Sequence, residues 1–293
     1  MDDNAEKNNH GRATNGLHAY SVLMSVYAKE NPVFFEEAMA GVFKQSYSTN
    51  DFVLLCDGPL TPELEAIIAK YKSHYPDILN ITRSETNIGL GAELAKGITL
   101  CKNEIIMRAD SDDISKPDRA ERQIALLLGE NLDIVSSSVA LFEADPNQPF
   151  CIKALPTSQD EILKYAKRRN PFNHPAVMYK KSAVLEAGNY VSLPFREDYY
   201  LWVRMLQHGA KAKNAPESLV FMRTNEKLYR RRKDSKAYKS EILLMKYMKI
   251  SGFIGTSQYM KNRFIYWARH FLPAWAAKLI YPRLWKNAKF ASE

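Results

Sequence analysis

From Tyr20 onward, short β-branched apolar runs alternate with segments of helical spacing, and this alternation limits the fold more than any other feature of the sequence. The apolar runs predict strands at residues 20–26, 52–56, 78–82, 105–109 and 133–137. The segments between them predict helices at residues 34–43, 62–75, 91–100 and 118–128. Because parallel strands need a long crossover, this order favours an α/β fold with a mainly parallel sheet covered by helices on both faces.

The carboxyl ends of the predicted strands are rich in carboxylates. Asp57 follows the second strand, and Asp110, Asp112 and Asp113 follow the fourth. Ligands of open parallel sheets bind beyond these strand ends. Crowded carboxylates repel one another unless a cation or hydrogen-bond donors compensate, and Mg²⁺ or Mn²⁺ binds carboxylate and phosphate oxygens together. The cluster therefore predicts a metal site for a nucleotide diphosphate; the alternative is a solvated loop that caps the helix beginning near Pro117.

A second acidic pair, Glu197 and Asp198, precedes an apolar run of helical spacing at residues 199–206. Favourable interaction with a helix dipole is one explanation of the pair. The other is catalytic, since a site that binds metal with its first acidic cluster needs a separate carboxylate as base. His174 lies between the two acidic sites, and we expect it to make a structural hydrogen bond. Arg108 is interpreted as balancing the charge of the neighbouring aspartates.

Length and cysteine content indicate an ordinary intracellular globular protein. The 293 residues fit one large α/β domain with an appendage. The three cysteines are widely spaced and form no CxxC pair, which argues against a disulfide framework or a zinc site. The first 15 residues lack the apolar core of a signal peptide, and no apolar run is long enough to cross a bilayer. We therefore expect a cytoplasmic protein.

The C-terminal region is basic and aromatic. Residues 259–290 contain seven Lys or Arg and no Asp or Glu. The apolar residues that recur here at helical spacing are Phe264, Trp267, Phe271, Trp275 and Leu279. Helices with aromatic and cationic sides are typical of proteins that lie on anionic bilayers, so we expect attachment to the inner face of the cell membrane. The alternatives are packing on the main domain or on a partner in a dimer.

Four motifs carry a family resemblance. They are residues 20–27 (YSVLMSVY), 56–59 (CDGP), 87–91 (NIGLG) and 108–113 (RADSDD), and the acidic pair with Tyr199 is a fifth. In this order they resemble glycosyltransferase family 2, over about residues 18–225. The resemblance implies a GT-A fold with a catalytic domain at 18–225. The flanking sequence is interpreted as a disordered polar tail at 1–17 and a basic helical region at 226–293, which is expected to be a membrane-surface or lid element.

The same resemblance implies the residues of the donor site. Asp112 is expected to bind Mn²⁺ or Mg²⁺ between the two donor phosphates. Val26, Tyr27 and Asp57 are expected to face the donor base, for which uridine is the usual choice. The full donor-binding set is Val26, Tyr27, Asp57, Asn87, Asp110 and Ser111, with Asp110 at the ribose.

The implied activity is an inverting transfer of a sugar from a nucleotide-diphosphate donor. Asp198 is expected to be the base that takes the proton of the acceptor hydroxyl, and Glu197 to hold the acceptor or orient the loop. The implied acceptor is a glycan or a polyprenyl-diphosphate-linked oligosaccharide in polysaccharide biosynthesis. An acceptor of that kind agrees with a protein peripheral to the membrane.

Two other function classes share some of these features. A net charge of +8 permits nucleic-acid binding, but that explains only the tail and leaves the aspartates without a role, so we expect no nucleic-acid partner. A metal-dependent phosphohydrolase also uses aspartates at a strand end, with water as the acceptor.

The basic residues 227–233, together with Arg223, suggest a lid that clamps the leaving diphosphate.

Overall fold

The computed structural model describes residues 18–224 and 235–271 of the chain. Nine strands in these residues form one mixed sheet. Its strands are β1 (Tyr20–Val26), β2 (Asp51–Cys56), β3 (Leu79–Arg83), β4 (Ile105–Asp110), β5 (Ile114–Ser115), β6 (Ile134–Phe142), β7 (Cys151–Lys153), β8 (Met178–Lys180) and β9 (Ala212–Arg223). Their spatial order is β3-β2-β1-β4-β8-β6-β9-β5, and β7 pairs with β6.

Nine α-helices accompany the sheet within the described residues. They are α1 (Pro32–Phe43), α2 (Pro62–His74), α3 (Leu90–Leu100), α4 (Arg119–Gly129), α5 (Gln159–Ala166), α6 (Lys181–Glu186), α7 (Glu197–Gln207), α8 (Ser235–Ile250) and α9 (Thr256–Phe271). The first helix starts where its sequence signals predict, because Asn31 Oδ1 accepts from the N–H of Val33 at 2.9 Å. Pro32 at the first turn supports the same start.

The first half of the sheet follows the predicted pattern. β3, β2, β1 and β4 are parallel, and α1, α2 and α3 connect them in the sequence. The predicted bounds of these strands and of the first four helices agree with the structure within two residues. Side chains of β1 alternate between two hydrophobic cores: Val22 and Met24 pack with α1, α2 and α4, and Leu23 packs with α3 and α7. Helices therefore cover both faces, as expected.

The second half of the sheet is mixed. β8 lies between β4 and β6 and is antiparallel to both. β6 continues to Phe142, beyond its predicted end at residue 137, and pairs in parallel with β9. β9 in turn pairs with β5 in antiparallel fashion. The parallel part is thus concentrated in the first four strands, because the sequence beyond residue 146 lacks the regular alternation of strands and crossover helices.

α8 and α9 extend this unit at its C-terminal side. Leu244 and Met248 of α8 pack against Tyr199 of α7, and Arg196 forms an ion pair with Glu241. In residues 18–224 and 235–271, no helix combines the length and the apolar character that crossing a membrane needs. The predicted polar tail at 1–17, the basic segment 227–233 and the tail beyond residue 271, which includes Trp275 and Leu279, lie outside the described residues.

Candidate active site

The acidic residues after β4 form a loop that leads into β5. Asp110, Asp112 and Asp113 each offer one carboxylate oxygen, and these oxygens all lie within 4.8 Å of one another. Asp110 and Asp112 are partly exposed, whereas Asp113 is buried. Since β5 separates the loop from α4, the cluster does not cap that helix. Hard oxygen donors at this spacing fit one Mg²⁺ or Mn²⁺ ion that also binds water and phosphate oxygens.

Contacts from distant parts of the chain hold this loop. The Ser111 hydroxyl donates to Glu30 Oε2 at 2.6 Å, just beyond the end of β1. The backbone N–H of Arg223, the last residue of β9, donates to Asp113 Oδ1 at 2.8 Å. Ser111, which the resemblance assigns to donor binding, therefore also anchors the acidic loop to the segment after β1.

The three aspartates repel one another, as expected for carboxylates that bind a cation. Burial raises the pKa of Asp113 well above its ordinary value, and the charges of Asp112 and Asp110 raise it further. The N–H of Arg223 and the charge of Arg108 oppose this rise. A divalent cation among the three carboxylates would offset their mutual repulsion. The residues present therefore fit the metal that the sequence predicts.

The predicted donor residues share the carboxyl edge of three adjacent strands. Val26 ends β1 and is followed by Tyr27, and Asp57 follows β2. The N–H of Asp57 donates to the carbonyl of Val26 at 2.9 Å. On the other side of β1, Ser25 pairs with Asp110 at the end of β4. The fold thus brings these separate motifs to one edge of the sheet.

Asp57 is buried, and its carboxylate holds the loop that precedes α3. Its Oδ1 accepts from the N–H of Ile88 at 2.6 Å, and its Oδ2 accepts from the N–H of Gly89 at 3.1 Å. Asn87, which is exposed, donates from Nδ2 to the Asp57 carbonyl at 3.2 Å. Gly89 has a φ of +88°, a backbone conformation that favours glycine. Asp57 and Asn87 therefore brace two neighbouring loops at the expected donor site.

Glu197 and Asp198 form the first turn of α7. Asn170 Nδ2 donates to Asp198 Oδ2 at 2.6 Å. Burial, and then the charge of Asp198, raise the pKa of Glu197 to about 7. Burial also raises the pKa of Asp198, against the N–H of Tyr199, the charge of Arg196 and the Asn170 hydrogen bond. A pair of buried carboxyls whose pKa values are raised is suited to proton transfer.

Close packing between α3 and α7 sets the position of Glu197. A Cβ atom on Gly91 would lie 3.2 Å from Glu197 Cβ and 3.3 Å from Ser192 Cα. The two helices therefore approach where a larger side chain fits poorly. Gly91 and Asn170 do not stand out in the sequence as site residues, because their partners are distant in the chain and only the fold brings them together.

Arg108 is buried, and its charge acts on both acidic groups. It forms an ion pair with Asp110, and its positive charge acts to lower the pKa of Asp113, Glu197 and Asp198. Its Nε and Nη1 atoms have no hydrogen-bond partner among the described residues. Both acidic groups therefore lie within the electrostatic reach of one guanidinium, which supports the predicted charge-balancing role of Arg108.

His174 belongs to an aromatic cluster beside Arg108. Its Nε2 atom lies 3.0 Å from the Tyr190 hydroxyl, and its ring packs against Trp202 in a T-shaped arrangement with centroids 6.0 Å apart. Burial, and then the charge of Arg108, hold the pKa of His174 well below its ordinary value. A neutral, hydrogen-bonding histidine agrees with the structural role expected from the sequence.

Sequence comparisons place this chain in a known family. The sequence profile described as Glycosyl transferase family 2 matches residues 21–185. The UDP-Gal:alpha-D-GlcNAc-diphosphoundecaprenol beta-1,3-galactosyltransferase of Escherichia coli is 35% identical over 244 residues, which cover 83% of this chain and 88% of that relative. The amylovoran biosynthesis glycosyltransferase AmsE of Erwinia amylovora is 33% identical over 247 residues, which cover 83% of this chain and 92% of that relative.

A solved structure shares the fold. The mannosyltransferase PcManGT from Pyrobaculum calidifontis, in complex with GDP-Man and Mn²⁺, is similar with a TM-score of 0.63 at 13% identity, over 95% of this chain and 77% of that chain. The family profile covers more than half of the chain, and both sequence relatives align over most of their length. The chain therefore belongs to glycosyltransferase family 2, has the GT-A fold and is a glycosyltransferase.

Proposed function

We propose that the protein is a metal-dependent, inverting glycosyltransferase that moves a sugar from a nucleotide-diphosphate donor to a hydroxyl of a lipid-linked glycan. The observation that carries this proposal is the presence of two acidic groups within reach of Arg108: the three aspartates after β4, and Glu197 with Asp198. Direct displacement at a sugar carbon needs stabilisation of the leaving group and removal of the acceptor proton. Two separate carboxylate groups can perform these two functions.

In this proposal the aspartates after β4 would hold the metal ion at the donor phosphates. Asp112 is the metal ligand, since its partly exposed carboxylate belongs to the cluster of close oxygens. Mn²⁺ or Mg²⁺ held there would supply positive charge that stabilises the leaving nucleoside diphosphate. The nucleoside and the rest of the donor contact Val26, Tyr27, Asp57, Asn87, Asp110 and Ser111.

Asp198 is the general base. As the acceptor oxygen bonds to the anomeric carbon, the bond from that carbon to the phosphate oxygen breaks and Asp198 takes the acceptor proton. Attack opposite the leaving group inverts the configuration at the anomeric carbon. The hydrogen bond from Asn170 at 2.6 Å orients Asp198, and Glu197 beside it holds the acceptor.

The names of the relatives support a donor and an acceptor class. The Escherichia coli relative is named for UDP-galactose and for a diphosphoundecaprenol-linked acceptor, and the Erwinia relative is named for amylovoran biosynthesis. Both align over more than four fifths of this chain. We therefore extend the proposal to a UDP-sugar donor and a polyprenyl-diphosphate-linked acceptor in polysaccharide biosynthesis.

One side of α9 supports attachment to the inner face of the cell membrane. Met260, Phe264 and Trp267 are 59%, 67% and 50% exposed, and Lys261 and Arg263 are exposed on the same helix. Aromatic side chains beside cations are suited to the headgroup region of an anionic bilayer. The exposed apolar surface of α9 thus agrees with a peripheral membrane protein.

Another side of α9 contacts the catalytic domain. Asn262 Nδ2 donates to the carbonyl of Lys167 at 2.8 Å, and the Tyr266 hydroxyl donates to that of Arg168 at 3.1 Å. These bonds hold the helix with Phe264 and Trp267 exposed. The domain division proposed here is a polar tail at 1–17, the catalytic domain at 18–225, and a basic helical region at 226–293 that lies on the membrane.

The test of the activity is a panel of sugar nucleotides with a polyprenyl-diphosphate-linked acceptor, each assayed with and without Mn²⁺. We expect Mn²⁺-dependent transfer of one sugar with inversion at its anomeric carbon, read by mass spectrometry and NMR of the product. Hydrolysis of the donor without transfer would instead support a phosphohydrolase. Transfer that continues unchanged in excess chelator would contradict the metal's role.

A further inference from the structure

Arg223, the last residue of β9, contacts both the acidic loop after β4 and helix α1. Its backbone N–H donates to Asp113 Oδ1 at 2.8 Å, and its Nε donates to the Asp112 carbonyl at 3.3 Å. Its Nη2 donates to Glu37 Oε2 of α1 at 2.5 Å. The guanidinium lies over the ring of Phe34, at 3.8 Å from its centroid. The residue is only 9% exposed, so these contacts define its surroundings.

The second aromatic contact of Arg223 is with the end of β6. Its guanidinium carbon lies 4.5 Å from the centroid of Phe142, the residue to which Arg223 is paired in the β6–β9 ladder. The side chain is therefore held between rings of α1 and β6, with Glu37 compensating its charge. The sequence suggested Arg223 as part of a lid that clamps diphosphate, but its guanidinium is directed at Glu37 and the Asp112 backbone.

This geometry determines where the main chain of Asp112 lies. One end of the acidic loop is anchored by β4, and the other by the pairing of Ile114 with Phe221 in β9. Between these anchors, the Arg223 side chain contacts the backbone of Asp112 itself. Outer groups that orient metal ligands typically change metal affinity by about 10- to 100-fold when they are removed.

We propose that Arg223 is a positioning residue for the divalent metal, acting through the backbone of Asp112 and held in place by Glu37. This inference rests on the proposed function, in which Asp112 is the metal ligand. In this proposal Arg223 acts through the Asp112 backbone and is not itself a ligand of the metal or of the substrate. Its contacts with α1 and β6 fix the position of the acidic loop relative to these elements. The carboxylate oxygens are thereby held close together before the metal binds.

Three variants of the full-length protein test this proposal by Mn²⁺ binding in the presence of UDP, measured by calorimetry. In Arg223→Met the apolar stem remains and the bonds to Asp112 and Glu37 are lost, so we expect Mn²⁺ to bind about tenfold or more weakly. Glu37→Gln removes the charge that holds Arg223 and should weaken binding in the same direction but less. Arg122→Met is the control, since Arg122 is half-exposed and pairs with Asp118 and Glu217 instead.

The possible outcomes separate this inference from the proposed function. No Mn²⁺ binding by the unchanged protein with UDP would overturn the metal role of Asp112 itself. Normal Mn²⁺ affinity in folded Arg223→Met would overturn the role of Arg223 alone, as would equal weakening in Arg122→Met. If Arg223→Met fails to fold, Glu37→Gln decides, because Glu37 has a side chain 44% exposed and tolerates substitution. Unchanged Mn²⁺ affinity in that variant would reject the proposal.

Discussion

At the scale of single residues, neighbours in the sequence have different surroundings. Asp113 is buried and accepts a hydrogen bond from the Arg223 backbone, whereas Asp112 is partly exposed. A metal ligand shared with a donor's phosphates must reach the space where those phosphates bind. This difference supports the assignment of the metal to Asp112 and a supporting role for Asp113.

Replacing the proposed metal ligand tests that assignment. Asp112→Asn should weaken Mn²⁺ binding by roughly a hundredfold or more, because loss of a direct ligand exceeds loss of an outer partner. Binding of the nucleoside alone should change little, since the residues proposed to face the donor base lie at the ends of β1 and β2. Calorimetry with Mn²⁺ plus UDP, and separately with uridine, measures both effects. Wild-type Mn²⁺ affinity in Asp112→Asn would contradict the assignment.

The pKa of Glu197 predicts a pH effect on transfer. Below pH about 7 Glu197 is protonated, and above it the carboxylate of Glu197 adds negative charge beside Asp198. That added charge raises the proton affinity of the base, so the transfer rate should rise as pH passes through about 7. The charges of Arg108 and Arg196 oppose the rise in the pKa of Glu197. In Glu197→Gln the rise should be absent, as measured by kcat across this pH range.

A substitution of Asp198 separates the role of this carboxylate from that of Glu197. Asp198→Asn should lose about 10²- to 10⁴-fold in kcat while donor binding remains, because the proposed base is removed. In this variant the pKa of Glu197 should also fall, since the charge of Asp198 is the second cause of its rise. Full activity in Asp198→Asn would contradict the assignment of the base. An unchanged inflection near pH 7 in Glu197→Gln would instead show that another group causes the pH effect.

At the scale of elements, the site depends on how closely helices and strands approach. α3 meets α7 at Gly91, and it meets β1 and β2 at Gly97, where a Cβ atom would lie 2.4 Å from Leu23 Cδ1 and 2.7 Å from Leu55 Cδ1. The first contact is beside Glu197, and the second is in the core. The two glycines thus offer matched substitutions on one helix with different expected effects.

Gly91→Ala should reduce kcat by about tenfold through displacement of Glu197 by a few tenths of an ångström. Its stability should change little, because alanine favours the helix while the added methyl crowds its neighbours. Gly97→Ala should instead lower the free energy of unfolding by about 1–3 kcal/mol through overpacking. Kinetics and denaturant unfolding of both variants measure this contrast. If kcat falls in proportion to the loss of stability, and by the same proportion in Gly91→Ala and Gly97→Ala, then Gly91 has no specific role in the site.

At the scale of the whole molecule, the active site and the exposed side of α9 belong to one folded unit. α9 is tied to the catalytic domain through Asn262 and Tyr266, and α8 packs on α7, which carries Glu197 and Asp198. A membrane that binds α9 therefore has a defined orientation relative to the site. This arrangement suits an acceptor whose lipid part stays in the bilayer.

Removal of the exposed aromatic side chains of α9 tests membrane attachment. Phe264→Ser with Trp267→Ser should lower binding to vesicles that contain anionic lipid by about tenfold or more, since burial of each large apolar side chain contributes about 1.5–3 kcal/mol. Phe150→Ser is the control, because Phe150 is 45% exposed on another part of the surface. Vesicle sedimentation measures the bound fraction. Unchanged sedimentation of the double variant would count against the proposed membrane surface.

The sequence by itself determined the first half of the fold and the main acidic motifs. Hydrophobic periodicity and helix start signals are local, so they predicted β1 to β4 and α1 to α4 within two residues. The positions of Asp57 and the aspartates after β4 at one sheet edge followed from the rule for parallel strands. These properties depend on residues that are close together in the chain.

Only the tertiary structure decided the mixed half of the sheet and the groups that support the site. The contacts of Asp112 with Arg223, Asp198 with Asn170, and Glu197 with Gly91 join residues that lie far apart in the sequence. Local patterns contain no information about such pairs, because their energies arise only when β9, α3 and α7 pack together. The sequence therefore identified the chemical groups, and packing determined their environment and mutual position.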